Sequence, residues 1–109
     1  MKYLFLCHAG AKRSPTACSV AGELARRRGL HIEMDYGSAY ALYGLGKDKA
    51  KSRLAEYDKV FAMTEDICER LAQMGLDMTN VCCLDIEDVH ERHDPALRAL
   101  LRDRLKDLL

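Results

Sequence analysis

A cysteine near the start of the chain is followed, after five intervening residues, by arginine, serine and proline: Cys7-His8-Ala9-Gly10-Ala11-Lys12-Arg13-Ser14-Pro15. Each residue type has a physical use. A short loop that leads into a helix N-terminus aims successive backbone N–H groups at one point, and those groups together with the helix dipole attract an anion. The small residues Ala9, Gly10 and Ala11 let the backbone come close to a phosphate, and Gly10 tolerates a left-handed conformation. Arg13 offers a planar fork for two phosphate oxygens. The backbone from His8 through Ala9, Gly10, Ala11 and Lys12 to Arg13 is therefore expected to form the phosphate-binding surface. The same field acts on Cys7, because a helix N-terminus, Lys12 and Arg13 all favour thiolate over thiol. The hydroxyl of Ser14 is a further expected donor to that thiolate. A thiolate beside a phosphorus centre implies in-line attack and a cysteinyl-phosphate intermediate, with Arg13 and the loop amides stabilising the equatorial oxygens. Taken alone, Cys7 also fits an inert core cysteine. Its setting between a strand and a helix opened by Ser14-Pro15 favours the phosphate loop.

A leaving alkoxide or phenoxide needs a proton, and a carboxylic acid can supply it. Asp85, Asp88 and Asp94 lie close together in the sequence. Asp94 precedes Pro95 and an amphipathic stretch, which already gives it a local role as a helix N-cap. Asp88 follows the last strand at its carboxyl end and is the preferred acid, with Asp94 as the alternative. Asp85 reads as a strand-end or surface residue. Tyr40, Tyr43, His8 and His90 offer flat walls for an aryl group, the competing roles being loop packing and solvent exposure.

These residues need a scaffold, and the pattern along the chain is strand then helix, repeatedly. Residues 2–6 form a short apolar run consistent with a buried strand. Ala17, Val20, Ala21, Leu24 and Ala25 share one helical face, with Ser14 as expected N-cap, Pro15 in the first helical position and Gly29 as the closing cap. Strands are expected over 31–36, 59–63 and 81–86, a loop over 37–47, and a short helix over 48–57. Thr64 caps a helix facing inward through Ile67, Leu71 and Met74. Pro95 opens the last helix, whose stripe is Leu97, Leu100, Leu101, Leu105 and Leu108. Alternation of this kind predicts an α/β three-layer sandwich: a four-stranded parallel sheet with helices on both faces, spanning 1–109 as one domain.

The composition narrows the partners. The 109 residues carry 17 basic and 17 acidic side chains, for a net charge of zero. That balance argues against nucleic acid or an anionic membrane surface as the partner. No apolar run approaches the roughly 18 residues of a membrane span, and the opening apolar run is too short for a secretory signal. A cytoplasmic location is expected, where thiols stay reduced. The five cysteines, at positions 7, 18, 68, 82 and 83, lack the paired spacing of a zinc site. Neither a metal nor a cofactor is expected. Cys18, Cys68, Cys82 and Cys83 read as core residues.

Leu4-Phe5-Leu6-Cys7 through Arg13-Ser14-Pro15-Thr16-Ala17 resembles the opening strand, catalytic loop and first helix of the low-molecular-weight protein tyrosine phosphatases. The likeness continues through Tyr36-Gly37-Ser38-Ala39, Tyr57-Asp58-Lys59-Val60-Phe61-Ala62-Met63-Thr64 and Leu84-Asp85-Ile86-Glu87-Asp88, and is nearest to a short subgroup of predicted phosphatases. It implies a phosphate monoester hydrolase acting on phosphotyrosine proteins or small aryl phosphates. Cys7 would be the nucleophile, Arg13 the phosphate ligand, Ser14 its neighbour and Asp88 the acid. Three positions depart from the family pattern: Gly10 replaces an asparagine, Lys12 replaces a common cysteine, and Val89-His90 follow Asp88 in place of proline and an aromatic. Thiol-dependent arsenate reductases resemble the same loop but need further cysteines, for which Cys82 and Cys83 are available. A phosphocarrier domain or a non-hydrolytic phosphate-binding module is the reading from a different class.

Overall fold

The structure is a computed structural model that describes residues 1–109. Four parallel strands form the sheet: β1 (Lys2–Cys7), β2 (Glu33–Ser38), β3 (Lys59–Ala62) and β4 (Val81–Cys83), in the order β2-β1-β3-β4. The helices are α1 (Arg13–Arg27), α2 (Ala39–Gly44), α3 (Lys47–Ala55), α4 (Glu65–Gln73) and α5 (Pro95–Leu105).

β1 is a central strand, and residues 3–7 are all buried because both faces of the sheet are covered. Alternation along the strand sends its side chains to two separate cores. Tyr3, Phe5 and Cys7 join Phe61 and Met63 beneath α1 and α5. Leu4 and Leu6 join Val60 and Ala62 beneath α2, α3 and α4. Phe5 stacks on Phe61 at a centroid distance of 5.0 Å, tying β1 to β3. Leu97, Leu101 and Leu105 of α5 are fully buried in the first core, each contributing about 1.5–3 kcal/mol by burial.

The strand order positions the site. The chain leaves β1 through α1 to reach β2, then crosses back over β1 to reach β3. The turns after β1 and β3 therefore lead to helices on opposite faces, which opens a crevice at the carboxyl ends of these neighbouring strands. The Cys7–Lys12 loop and the start of α4 meet there.

Several boundaries differ from the sequence expectation. α1 begins at Arg13, its N-cap position is Lys12, and no side chain caps it. Ser14 lies inside the first turn, and its hydroxyl serves other partners. Gly29 does close α1, at φ +68, with Leu30 N–H returning to the Ala25 carbonyl at 2.9 Å. The expected loop over 37–47 contains α2, capped by Ser38, whose hydroxyl accepts from Ala41 N–H. Burial of Ala39 and Leu42 holds this short helix, a signal obscured by the surrounding glycines. Thr64 is the N-cap of α4 by backbone conformation alone. β4 ends at Cys83, because Asp85 turns to φ +55. Leu84 and Ile86 still donate to the carbonyls of Ala62 and Met63, so the chain stays alongside the end of β3.

Candidate active site

Cys7 is the last residue of β1, and its thiol is held by the loop that follows. Gly10 N–H donates to Cys7 Sγ at 3.2 Å, and the Ser14 hydroxyl lies 3.1 Å from the same sulfur. Burial alone would raise the Cys7 pKa. Hydrogen bonds from the Ser14 side chain and backbone and from Gly10 N–H, with the charge of Arg13, outweigh it and hold the thiol below its ordinary value.

Gly10 is required here for two reasons. It adopts φ +72, and a Cβ at this position would lie 2.9 Å from Gly37 C and Ser38 N. The loop thus packs backbone to backbone against the end of β2. Ser38 Oγ donates to the His8 carbonyl at 2.7 Å, Tyr40 N–H donates to the same oxygen at 3.2 Å, and Ser14 Oγ reaches Gly37 O at 3.4 Å. These contacts fix the loop from outside.

Arg13 is 1 % exposed although it bears a permanent charge, so its partners decide what it does. Its NH1 donates to the Ile86 carbonyl at 2.7 Å and its NH2 to His8 Nδ1 at 3.0 Å. Asp88 Oδ1 lies 3.7 Å from Arg13 Nε and is largely exposed. Cys7, Ala9, Ala11, Lys12, Arg13 and Asp88 line one small cavity of about 80 Å³. A larger hollow of about 220 Å³ beside α3 includes Lys51, Tyr57, Asp77 and Asn80 in its lining, but no cysteine, serine or histidine.

The structure thus brings Cys7, Arg13, Ser14, Asp88 and the small loop residues together. Lys12 is at the rim, paired with Glu91 at 3.2 Å. Asp94 is elsewhere: its carboxylate accepts from Ala96 N–H at 2.8 Å as the N-cap of α5. Asp85 and His90 line a separate hollow with Glu87, Val89, Leu100 and Arg104, so His90 is not a wall of the Cys7 cavity. His8 stacks on Tyr40 at 5.4 Å, and Tyr40 meets Tyr43 edge-on at 6.3 Å, which forms a continuous aromatic ledge.

Three contributors escaped sequence reasoning. Asp66, in the first turn of α4, accepts a hydrogen bond from His8 Nε2 at 2.6 Å. The Ile86 carbonyl anchors Arg13. Thr16, buried in α1, donates to Lys12 O at 2.7 Å and accepts from His93 N–H at 2.9 Å, which ties down the far end of the loop bearing Asp88. Thr16 and Ile86 fall within segments that carry the family resemblance, but no spacing assigned either of them a role, and Asp66 belongs to no such segment. Only the positions of Asp66 and Ile86, just beyond neighbouring strands, hinted at the crevice.

No family model matches the sequence, and no curated protein matches it. Solved structures do match in fold. A low-molecular-weight protein tyrosine phosphatase from Bacillus subtilis superposes with a TM-score of 0.70 at 20% identity, over 98% of each chain. The YwlE arginine phosphatase, also of Bacillus subtilis, superposes with a TM-score of 0.74 at 20% identity, over 99% of this chain and 93% of that one. It was solved as a cysteine-to-serine mutant with a phosphorylated active-site serine. A protein tyrosine phosphatase from Entamoeba histolytica gives a TM-score of 0.72 at 19% identity, over 99% and 94% of the two chains. The chain therefore has the fold of the low-molecular-weight protein tyrosine phosphatases.

Proposed function

We propose that the protein hydrolyses phosphate monoesters through a cysteinyl-phosphate intermediate, with phosphotyrosine proteins or small aryl phosphates as its substrates. The observation that carries this reading is the shared cavity of Cys7, Arg13 and Asp88, in which the sulfur also receives hydrogen bonds from Gly10 and Ser14. The Cys7 thiolate attacks phosphorus and forms the S–P bond as the P–O bond to the leaving group breaks. Asp88, as the carboxylic acid, gives its proton to the departing oxygen. Water then attacks phosphorus, the Asp88 carboxylate takes its proton, and the S–P bond breaks to return the thiolate. Arg13 has five N–H groups, and the bonds to Ile86 and His8 engage two of them. Those that remain, together with the guanidinium charge, serve the phosphoryl oxygens, two at most along one edge of the planar fork.

The aromatic ledge supports an aryl substrate, because the exposed Tyr40 ring stacks on His8, the residue that follows Cys7 and bonds Arg13. The fold neighbours supply analogy of two kinds, tyrosine and arginine phosphatases. The arsenate reductase alternative is weaker. It requires a second cysteine to resolve the adduct on Cys7, whereas Cys82 and Cys83 lie on β4, separated from β1 by β3. The deciding experiment is steady-state release of phosphate from nitrophenyl phosphate, with Cys7→Ser alongside and arsenate plus a thiol donor as the competing substrate pair. Turnover of the aryl phosphate that disappears in Cys7→Ser supports the reading; turnover of arsenate alone overturns it.

A further inference from the structure

Three polar atoms of His8 are engaged. Its carbonyl accepts from Ser38 Oγ and Tyr40 N–H, its Nδ1 lies 3.0 Å from Arg13 NH2, and its Nε2 lies 2.6 Å from Asp66 Oδ2. Arginine can only donate, so Nδ1 must accept. The proton of the neutral ring then sits on Nε2 and is donated to Asp66. The carboxyl of Asp66 is held below the ordinary carboxylate range by the Thr64 side chain first and by His8 next, which keeps it an acceptor. One tautomer and one ring orientation satisfy all of these contacts.

Asp66 is far from Cys7 in sequence and belongs to α4, on the opposite face of the sheet from α1. It reaches His8 because the turns after β1 and β3 meet at the crevice. Arg13 is held in plane by two points: NH1 on the Ile86 carbonyl and NH2 on His8. Removing Asp66 frees the ring to turn, or to carry its proton on Nδ1, where an N–H would face the Arg13 N–H groups. Two donors would then oppose each other in a nearly buried site, at the atom that orients the fork.

We propose that Asp66 and His8 act as a positioning pair for Arg13, so that phosphate affinity depends on Asp66 although Asp66 lies outside the Cys7 cavity. The same pair seats Tyr40, because the His8 ring is its stacking partner at 5.4 Å. The proposal rests on the reading of the Cys7–Arg13 loop as a phosphate site. It assigns that site a support from a different helix. An ordinary exposed ion pair would behave differently: it adds little stability and leaves ligand affinity alone.

The test measures binding of inorganic phosphate by its protection of Cys7 from iodoacetate, which needs no turnover. Nitrophenyl phosphate and an alkyl phosphate are assayed in parallel. Asp66→Ala should weaken phosphate binding about tenfold, the scale of one misaligned charge-assisted hydrogen bond, and lower kcat/KM for both esters by the same factor. Asp66→Asn keeps an oxygen acceptor for Nε2–H and should recover most of that loss. His8→Asn places an amide oxygen near the Nδ1 position and should retain more phosphate affinity than His8→Gln, which reaches toward Asp66 instead. A mere loss of folded protein lowers kcat while leaving the phosphate dissociation constant unchanged. An unchanged constant in Asp66→Ala, or equal loss in Asp66→Asn, therefore overturns the pair. Protection by phosphate that weakens in Asp66→Ala, in a protein that hydrolyses neither ester, supports the pair and rejects the hydrolase reading. No protection by phosphate in the wild type rejects both.

Discussion

Ser14 Oγ lies 3.1 Å from Cys7 Sγ, and both residues are buried where β1 hands over to α1. The hydroxyl sits one residue past Arg13 in the first turn of the helix, so the turn that carries the guanidinium also places a hydroxyl beside the sulfur. The Cys7 pKa is correspondingly lowered, whereas burial raises Cys18 and Cys83 and takes Cys68 up to about 12.

Iodoacetate should therefore label Cys7 first, with a midpoint below the ordinary thiol value, and phosphate should slow it. Ser14→Ala should move the midpoint up and slow hydrolysis most on the acid side, where less thiolate remains. The linkage has a definite sign: the folded-state pKa is depressed, so the stability it contributes is present above the unfolded thiol value and is lost as pH falls through the folded value. The stability difference between wild type and Cys7→Ser, followed by urea unfolding at several pH values, should shift in favour of Cys7→Ser as pH falls. A Cys7 that alkylates with the midpoint of a free thiol removes this account.

Gly10→Ala should cost about 1–3 kcal/mol and most of the phosphate affinity, since the new Cβ combines a left-handed backbone with contacts of 2.9 Å to the β2 backbone. Thermal unfolding and phosphate protection of Cys7 measure the two effects. A control at Gly29, whose φ is also positive but whose Cβ would meet nothing within 4 Å, should lose stability only. Equal behaviour of the two variants would mean that the approach to Gly37 and Ser38 is unimportant.

Much of this was legible in the sequence because it is local. The run 2–6 and the periodicity of α1, α4 and α5 gave the sheet and its layers, and the spacing from Cys7 to Arg13 placed thiol and guanidinium at the two ends of one loop. What was misread is where a tertiary partner displaces a local preference. Ser14 looks like an N-cap by composition, yet its hydroxyl lies beside Cys7 Sγ and Gly37 O and caps nothing. The stretch 84–86 continues beside β3 without being a strand, because Asp85 turns there and carries the Ile86 carbonyl to Arg13. The position of Asp66 beyond β3 hints at the crevice but not at its partner, since only the crossover over β1 brings it to His8.

Thr16→Val should loosen the segment carrying Asp88. The Thr16 hydroxyl accepts from His93 N–H and donates to the Lys12 carbonyl, and valine keeps the shape while removing both bonds. The expected cost is about 1–3 kcal/mol, from leaving partly buried backbone groups unpaired. The informative readout is kinetic: if Asp88 is the acid, hydrolysis of an alkyl phosphate should fall more than that of nitrophenyl phosphate, because the carboxyl group is less well placed. Equal losses on the two substrates would assign Thr16 to stability alone.

Asp88 and Asp94 are separated by what their carboxylates touch. Asp88 lines the Cys7 cavity and faces Arg13 Nε at 3.7 Å, whereas Asp94 is occupied by Ala96 N–H at the start of α5. If Asp88 is the acid, Asp88→Asn should slow the first step by about a hundredfold to ten-thousandfold for substrates whose leaving oxygen must be protonated. Nitrophenyl phosphate leaves more readily as an anion and should lose much less, so a plot of rate against leaving-group pKa should steepen in this variant. Asp94→Asn should keep both stability and leaving-group dependence near wild type, because asparagine caps a helix about as well as aspartate. The measurement is the burst of leaving group before steady state, taken across the same ester series for each variant. Steepening in Asp94→Asn with none in Asp88→Asn would transfer the acid role to Asp94. The loop over 87–93 would then have to rearrange when substrate binds, since Asp94 caps α5 and is not among the residues lining the Cys7 cavity.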